Sequence, residues 1–365
     1  MSFTVQPLKV ALLVPSFHTV GPVLVALNIA SKLSGEKKIQ VTLIALRGGD
    51  NQRLDTAQGA NVRTVQIGMK KIPKPKDIYN LRKTLQEYDI VHAHAFWPTV
   101  LCAYLDVHKV VTVHNNPWQD YKYSYGITAG GIMARVFCHI IKRYDKIVAI
   151  SEHVKSAIHI QSSIVIYNGL EDKQTLSLPE TSIKPGHLKL VGISALNRIK
   201  NIQEMLNITA EIKKYRPVKL SVYGQGPEES SLRKKAAELG LQDEVVFAGH
   251  CSQEQIHQAL RDADIFLHCS LSEGFGLAVI EAQLARRPVV VRDVPALREL
   301  VRHGTTGYLY STKEDALKYI TEIAQDPKLA RRIGSTARES ALKKFSSNEM
   351  VKRYKQMYMS LGGQI

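Results

Sequence analysis

The chain has 365 residues, with 49 Lys and Arg against 33 Asp and Glu and a formal net charge of +16. That length is too great for one ordinary domain, and 44% hydrophobic with 22% charged residues is ordinary for a globular protein with a full core. The absence of any 18-residue apolar run excludes a spanning helix, while the basic excess asks for a polyanionic partner: nucleic acid, anionic lipid headgroups or a phosphorylated substrate.

In chain order, KVALLVP (9–15) reads as a first strand, because no charged leader precedes it and no small-residue cleavage site follows. A helical stretch runs on through Leu33. IQVTLIAL, NVRTVQIG, DIVHAH, KVVTVH, DKIVAIS and SIVIYNG follow as short apolar strands, mostly with helical patterns between them. Continuous apolar runs suit strands buried on both faces, and alternation with helices makes βαβ units of a parallel sheet. The segment EDKQTLSLPETSIKPGH (171–187) is polar and aperiodic with two prolines, and reads as a linker. A second α/β series follows: LKLVGISAL, VKLSVYG, EVVFAG, ADIFLHCS and RPVVVRD. From Asn348 an amphipathic helix closes the chain. The expected architecture is α/β, with two doubly wound domains, 1–170 and 188–347, facing across a cleft. Ligands of such sheets bind outside the carboxyl ends of the strands.

At one such strand end stands LSEGFGLAVIEAQLA. A helix start presents unpaired N–H groups and a partial positive charge, a ready anion site. Gly274 and Gly276 let backbone approach a ligand closely. Glu273 then lies beside the anion's distal substituent, and Glu281, inside the helix, reaches the other end. A nucleotide sugar fits this layout: sugar hydroxyls near Glu273, pyrophosphate at the turn, ribose hydroxyls near Glu281. Two solvated acids at a helix start are the plain alternative.

Other segments carry weaker signals. YGQGPEES (223–230) has Gly224 and Gly226 after a strand, but Glu229 stands where a dinucleotide loop needs a third glycine, so a tight turn into a helix is the expectation. His92 and His94, two apart on a strand, share a face, without an acidic or cysteine ligand nearby in sequence; no metal site is expected. Four scattered cysteines without a C-x-x-C pair read as free thiols of a reducing cytoplasm. MKKIPKPKD (69–77) and ARVFCHIIKRYDK (134–146) are basic. In the second, Val136, Phe137, Ile140 and Ile141 group between Arg135, Lys142 and Arg143, which suits either an anionic membrane surface or a solvated helix face. Nucleic acid is set aside, since no zinc-finger or RNP motif and no interleaving of aromatic with basic residues appears.

The block EGFGLAVIEAQLARRPVVVRDVPALRELVRHGTTGYL resembles the donor-binding block of retaining GT-B glycosyltransferases of the family-four type, whose signature is two glutamates with seven residues between them. DIVHAH, VVTVH, AISEHVK, IVIYNGL, KNIQEML, VYGQGPEE and VVFAGHCSQEQI occur in that group's order, so the resemblance covers nearly the whole chain. It implies a GT-B fold, an acceptor-binding first domain, a donor-binding second domain, and a closing helix (348–365) that returns to the first. The turn Glu273-Gly274-Phe275-Gly276-Leu277 and Glu281 would hold the donor. Lys200, in SALNRIKNIQEML, would stabilise the leaving diphosphate. The family's arginine five residues earlier is Ala195 here, and Arg198 is the nearest substitute; in an extended loop the two cations would share a face. His114 would contact the donor sugar or assist the acceptor, and His94 would stand on the acceptor side. Gly21 opens the first helix near donor phosphate, with Val20 where the family has a second glycine. Glu299 matches a family acid and is read as capping a helix start.

These features imply a cytoplasmic, metal-independent retaining glycosyltransferase without a cofactor, using a nucleotide diphosphate sugar as co-substrate. The basic charge adds an acceptor at the inner membrane face: a lipid-diphosphate-linked saccharide in surface polysaccharide or O-antigen assembly. A GT-B sugar-nucleotide epimerase, or a non-catalytic nucleotide-sugar binder, are the alternatives. The base, the sugar, the acceptor and the oligomeric state are not encoded legibly.

Overall fold

A computed structural model of the chain describes residues 6–17, 21–48, 61–70, 74–171, 183 and 186–363. The chain forms two compact units, Met1–Gly169 with Ser347–Ile365 and Leu170–Ser346. In each, the apolar runs become strands of one parallel sheet.

The first unit contains β1 (Leu8–Val14), β2 (Ile39–Ala45), β3 (Arg63–Gln66), β4 (Ile90–His94), β5 (His108–Val113), β6 (Lys146–Ala149) and β7 (Ile164–Val165), in the order β3-β2-β1-β4-β5-β6-β7. All pairings are parallel. The order reverses between β1 and β4, where Val10 faces Ile90. Helix Gly21–Leu33 packs with β1 in one apolar core, and helix Ser347–Leu361 supplies Met350, Tyr354, Met357 and Tyr358 to it. Buried positions 350, 354, 357 and 358 of that helix follow helical spacing, so one face is core. Each fully buried large side chain contributes on the order of 2 kcal/mol, which ties the closing helix to this unit.

The second unit contains β8 (Leu188–Ile193), β9 (Val218–Tyr223), β10 (Val245–Gly249), β11 (Ile265–His268), β12 (Val289–Arg292) and β13 (Tyr308–Tyr310), in the order β10-β9-β8-β11-β12-β13, again all parallel. Its switch point lies between β8 and β11, where Leu190 faces Ile265. Of the segment read as a linker, only residues 171, 183, 186 and 187 are described; Ile183 belongs to the core of the second unit.

Two local expectations change, for the edge strand and for Glu299, and the basic segment takes one of its two readings, the solvated face of a core helix. β13 is an edge strand that the sequence reading lacks; it has three residues and follows Gly307, at φ +151°, where a Cβ would come within 2.4 Å of Val289 Cγ2. In the basic segment after Ala134, Phe137, Ile140 and Ile141 are buried and only Val136 of the four is exposed. Glu299 stands at the carboxyl end of helix Pro295–Arg298 rather than at its start. All four cysteines are free thiols.

Candidate active site

The β8–β11 switch point assembles the site of the second unit. Beyond β8 the chain makes one 3-10 turn, Arg198–Lys200, then passes through Asn201 in the left-handed region (φ 50°) into helix Ile202–Lys213. Asn197 Oδ1 caps the turn, accepting from Lys200 N at 3.2 Å. The loop after β9 braces this segment from below. Ser194 N donates to Tyr223 O (2.9 Å), Leu196 N to Gln225 O (3.1 Å) and Glu228 N to Leu196 O (3.0 Å). The approach is so close that a Cβ on Gly224 would lie 2.0 Å from Ser194 O, and one on Gly226 2.3 Å from Leu196 O. The G-x-G is thus a tight turn that supports the Lys200 loop and leads into helix Glu229–Glu238.

Lys200 Nζ donates to Glu273 Oε1 at 2.5 Å, and His268 Nε2, from the last residue of β11, donates to the same oxygen at 2.8 Å. The Glu273 side chain is only 10% exposed. Burial would raise its carboxyl, but the Lys200 ammonium and the His268 ring outweigh burial and hold it well below the usual carboxylate range. Oε1 is therefore clamped from two sides. Leu271 N donates to Ile199 O (2.8 Å), which joins the two loops through backbone.

Gly276 (φ +108°) precedes helix Leu277–Leu284, and a Cβ there would come within 2.7 Å of Leu297 Cδ2. Phe275 is 3% exposed and meets Phe345 edge to face at 5.5 Å, so its side chain anchors the turn in the core. Gly274 is buried and Leu277 half-buried at the helix start. Glu281, in the second turn, accepts from Gln253 Nε2 at 2.9 Å; burial pushes its carboxyl up, and the Gln253 bond opposes that. Arg198 parts from Lys200. In a 3-10 turn, with about three residues per turn, residues two apart do not share a face, so the premise of an extended loop fails. Arg198 is exposed and lines a hollow of about 370 Å³ with Asn201, Gln203, Glu228 and Lys235, among whose lining residues Lys200 is not found. His268 and Gln253 escaped the sequence reading. Gln253 lies within VVFAGHCSQEQI and His268 within ADIFLHCS, but neither carries a role on sequence alone; the fold brings Gln253 to Glu281, and the turn after β11 brings His268 to Glu273.

In the first unit the switch point after β4 holds a histidine stack. His92 and His94 do share a face, with ring centroids 4.2 Å apart. His92 Nδ1 bonds the Tyr358 hydroxyl (2.6 Å) and its Nε2 the Thr112 hydroxyl (2.7 Å), which in turn meets Tyr354 OH (3.0 Å). His94 Nδ1 bonds His114 Nε2 at 2.9 Å, and His94 Nε2 is buried without a partner among the described residues. Gly21 opens its helix with no atom within 4 Å of an added Cβ; Val20 lies outside the described residues.

Burial lowers all three rings, His92 and His114 to about 3 and His94 well below 6.5, so the stack is neutral at pH 7. As pH falls below 6.5, the unfolded chain takes up these protons first. The stability they contribute is therefore full above about 6.5 and is lost as pH falls toward 3, at about 1.4 kcal/mol per pH unit for each proton. Both tryptophans, Trp97 and Trp118, lie in the first unit, so their fluorescence in urea follows it alone. Between pH 6 and 4 its stability should fall more steeply in wild type than in His114→Asn, by one proton.

The family model Glycosyltransferase Family 4 matches residues 21–174 of this chain, and Glycosyl transferases group 1 matches residues 174–340. An O-antigen biosynthesis glycosyltransferase of Escherichia coli, WclY, is 26% identical over 97% of this chain and 99% of its own length. The N-acetyl-alpha-D-glucosaminyl L-malate synthase of Bacillus anthracis is 25% identical over 75% of each. HepE of Anabaena, crystallised in complex with UDP and glucose, superposes with a TM-score of 0.83 at 20% identity, over 97% of this chain and 100% of that one. Sucrose-phosphate synthase of Thermosynechococcus elongatus gives 0.79 at 17% identity, over 98% and 100%. Two all-parallel sheets, each with a switch point, and two family models that between them reach from residue 21 to 340 agree: the chain belongs to the GT-B glycosyltransferases of the family-four type.

Proposed function

We propose that the chain transfers a sugar from a nucleotide diphosphate sugar to a saccharide acceptor, with retention at the anomeric carbon and without a metal. The carrying observation is the Lys200–Glu273–His268 cluster beside the start of helix Leu277–Leu284. A diphosphate at that helix start meets unpaired N–H groups, and Lys200 turns from Glu273 to the phosphate. His268 then keeps the Glu273 carboxylate in place while that carboxylate takes sugar hydroxyls. Ribose hydroxyls take the place of Gln253 on Glu281. The bond from the anomeric carbon to the phosphate oxygen breaks, and one to the acceptor oxygen forms on the same face. The acceptor proton passes to the leaving phosphate. Lys200 and the helix start meet the charge that grows on the diphosphate. His114 contacts the donor sugar or assists the acceptor, Gly21 serves the donor phosphate, and His94 serves the acceptor side.

The UDP and glucose named for HepE support a nucleotide sugar donor, and the O-antigen role named for WclY supports a lipid-diphosphate-linked saccharide as acceptor. A net charge of +16 suits peripheral attachment to the inner face of an anionic membrane.

Glu281 gives the test of donor seating. A carboxylate accepting two ribose hydroxyls contributes roughly 1.5–3 kcal/mol, so Glu281→Ala should weaken free nucleoside diphosphate binding about tenfold or more in calorimetric titration, and Glu281→Gln less. Equal affinity in wild type and Glu281→Ala would remove the ribose from this helix.

A further inference from the structure

Helices Pro117–Tyr125 and Ile127–Ile140 form a tight hairpin joined at Gly126 (φ +83°). They cross so closely at Gly130 that a Cβ there would lie 2.3 Å from Tyr121 O. Inside, Tyr121 and Phe137 pack against Phe96 at 5.7 and 6.0 Å between ring centroids, which makes the hairpin rigid. Outside, the joint presents Tyr123, Tyr125, Ile127, Ile132 and Val136 to solvent, with Ile127 80% and Ile132 61% exposed. Single exposed apolar residues are normal; five within residues 123–136, gathered on two helices that meet at Gly126, ask for a partner.

Charge selects the partner. From Tyr121 to Tyr144 the chain has no Asp or Glu, while Lys122, Arg135, Lys142 and Arg143 are all exposed. A second copy of this chain on the same face would set these cations against their own equivalents, in a molecule already at +16. An anionic bilayer satisfies both features: Tyr and Ile enter the interfacial layer, and Lys and Arg meet lipid phosphates. No helix among the described residues is long and apolar enough to cross a membrane, so the contact is interfacial.

We infer that the hairpin joint, Tyr123 to Val136, is the membrane-docking surface, an inference that rests on the proposed membrane-borne acceptor. The surface differs from the one the basic segment suggests by itself, since Phe137, Ile140 and Ile141 belong to the core.

The test is co-sedimentation of the full chain with vesicles of phosphatidylcholine alone or mixed with phosphatidylglycerol, at low and high salt. Wild type should bind the anionic vesicles, with salt weakening but not abolishing binding. Tyr125→Ser/Ile127→Ser, at exposed positions that leave the fold intact, should reduce binding on the order of tenfold or more at equal salt. Lys122→Gln/Arg135→Gln should flatten the salt dependence. Calorimetric affinity for whichever of UDP, GDP and ADP wild type binds should stay at the wild-type value in both, so a failure of the docking surface is separable from a failure of the donor reading, which would show as no binding of any of the three in wild type. Unchanged vesicle binding in the Ser pair would overturn the inference. So would wild type that ignores anionic vesicles, or that dimerises in sedimentation velocity while the Ser pair stays monomeric.

Discussion

We expect Lys200→Ala to lower kcat by about 10²-fold or more, as loss of one transition-state stabiliser does, and to change KM less. The Lys200 ammonium is the cation that the fold aims at the switch point of the second sheet, where it rests on the Glu273 carboxylate. An interaction that strengthens as the diphosphate departs appears in kcat rather than in ground-state binding. The partner of this prediction is Arg198→Ala. Sequence alone gives Arg198 the part of the family arginine replaced by Ala195, and on that reading both substitutions would cripple turnover. The 3-10 turn instead sets Arg198 toward solvent and a hollow that Lys200 does not line, so Arg198→Ala should keep near wild-type turnover. Steady-state kinetics on the two variants decides. An equal loss in both would mean that the turn unwinds when donor binds; an undamaged Lys200→Ala would leave the diphosphate to the helix start alone.

Gly226→Ala should be nearly as damaging, though position 226 carries no functional group. A methyl there would sit 2.3 Å from Leu196 O, a backbone atom that also accepts from Glu228 N and cannot step aside freely. Forcing a methyl into closed packing costs about 1–3 kcal/mol, and relief requires the 194–200 segment to lift. Calorimetry should therefore show a lower melting temperature for the second unit, and the kcat of the folded fraction should fall with it, because Lys200 rides on the displaced segment. A variant that melts early but turns over normally would show that the brace serves stability only. Gly240→Ala separates the two causes: Gly240 has a positive φ (+67°), which Gly226 lacks, and no atom within 4 Å of an added Cβ, so it tests backbone conformation without the clash.

The contrast between the two variants shows what a single sequence holds. Apolar runs bounded by polar turns are a local signal, and the strands from β1 to β12 follow it closely. β13 does not, since three residues beside a glycine carry no period. Glu273 and Lys200 were legible as site candidates because each follows a strand in a recognisable motif. That they share an ion pair across 73 positions was not, because strand order decides which loops meet; His268 as the second donor to the same oxygen was not either, because it depends on how the five residues after β11 turn back. For Arg198 the conformation decides: the same RIK triplet presents two cations together if extended and apart if coiled, and the 3-10 turn is coiled. The exposed face of the hairpin was hidden likewise, since Phe137 and Val136 are both apolar in sequence and only packing sends one inward.

The most direct measurement is the melting temperature of the full chain against a panel of nucleoside diphosphate sugars, read for wild type and for Glu273→Leu, since a ligand of the folded state stabilises that state by an amount that grows as the logarithm of one plus the ratio of ligand concentration to Kd. The expected result is a clear rise for wild type with at least one donor, a smaller rise with the matching free nucleoside diphosphate, and a Glu273→Leu variant that responds to the two alike because it no longer reads the sugar. No rise with any donor, or a rise that the sugar never augments in wild type, would contradict a donor held between Lys200, Glu273 and Glu281.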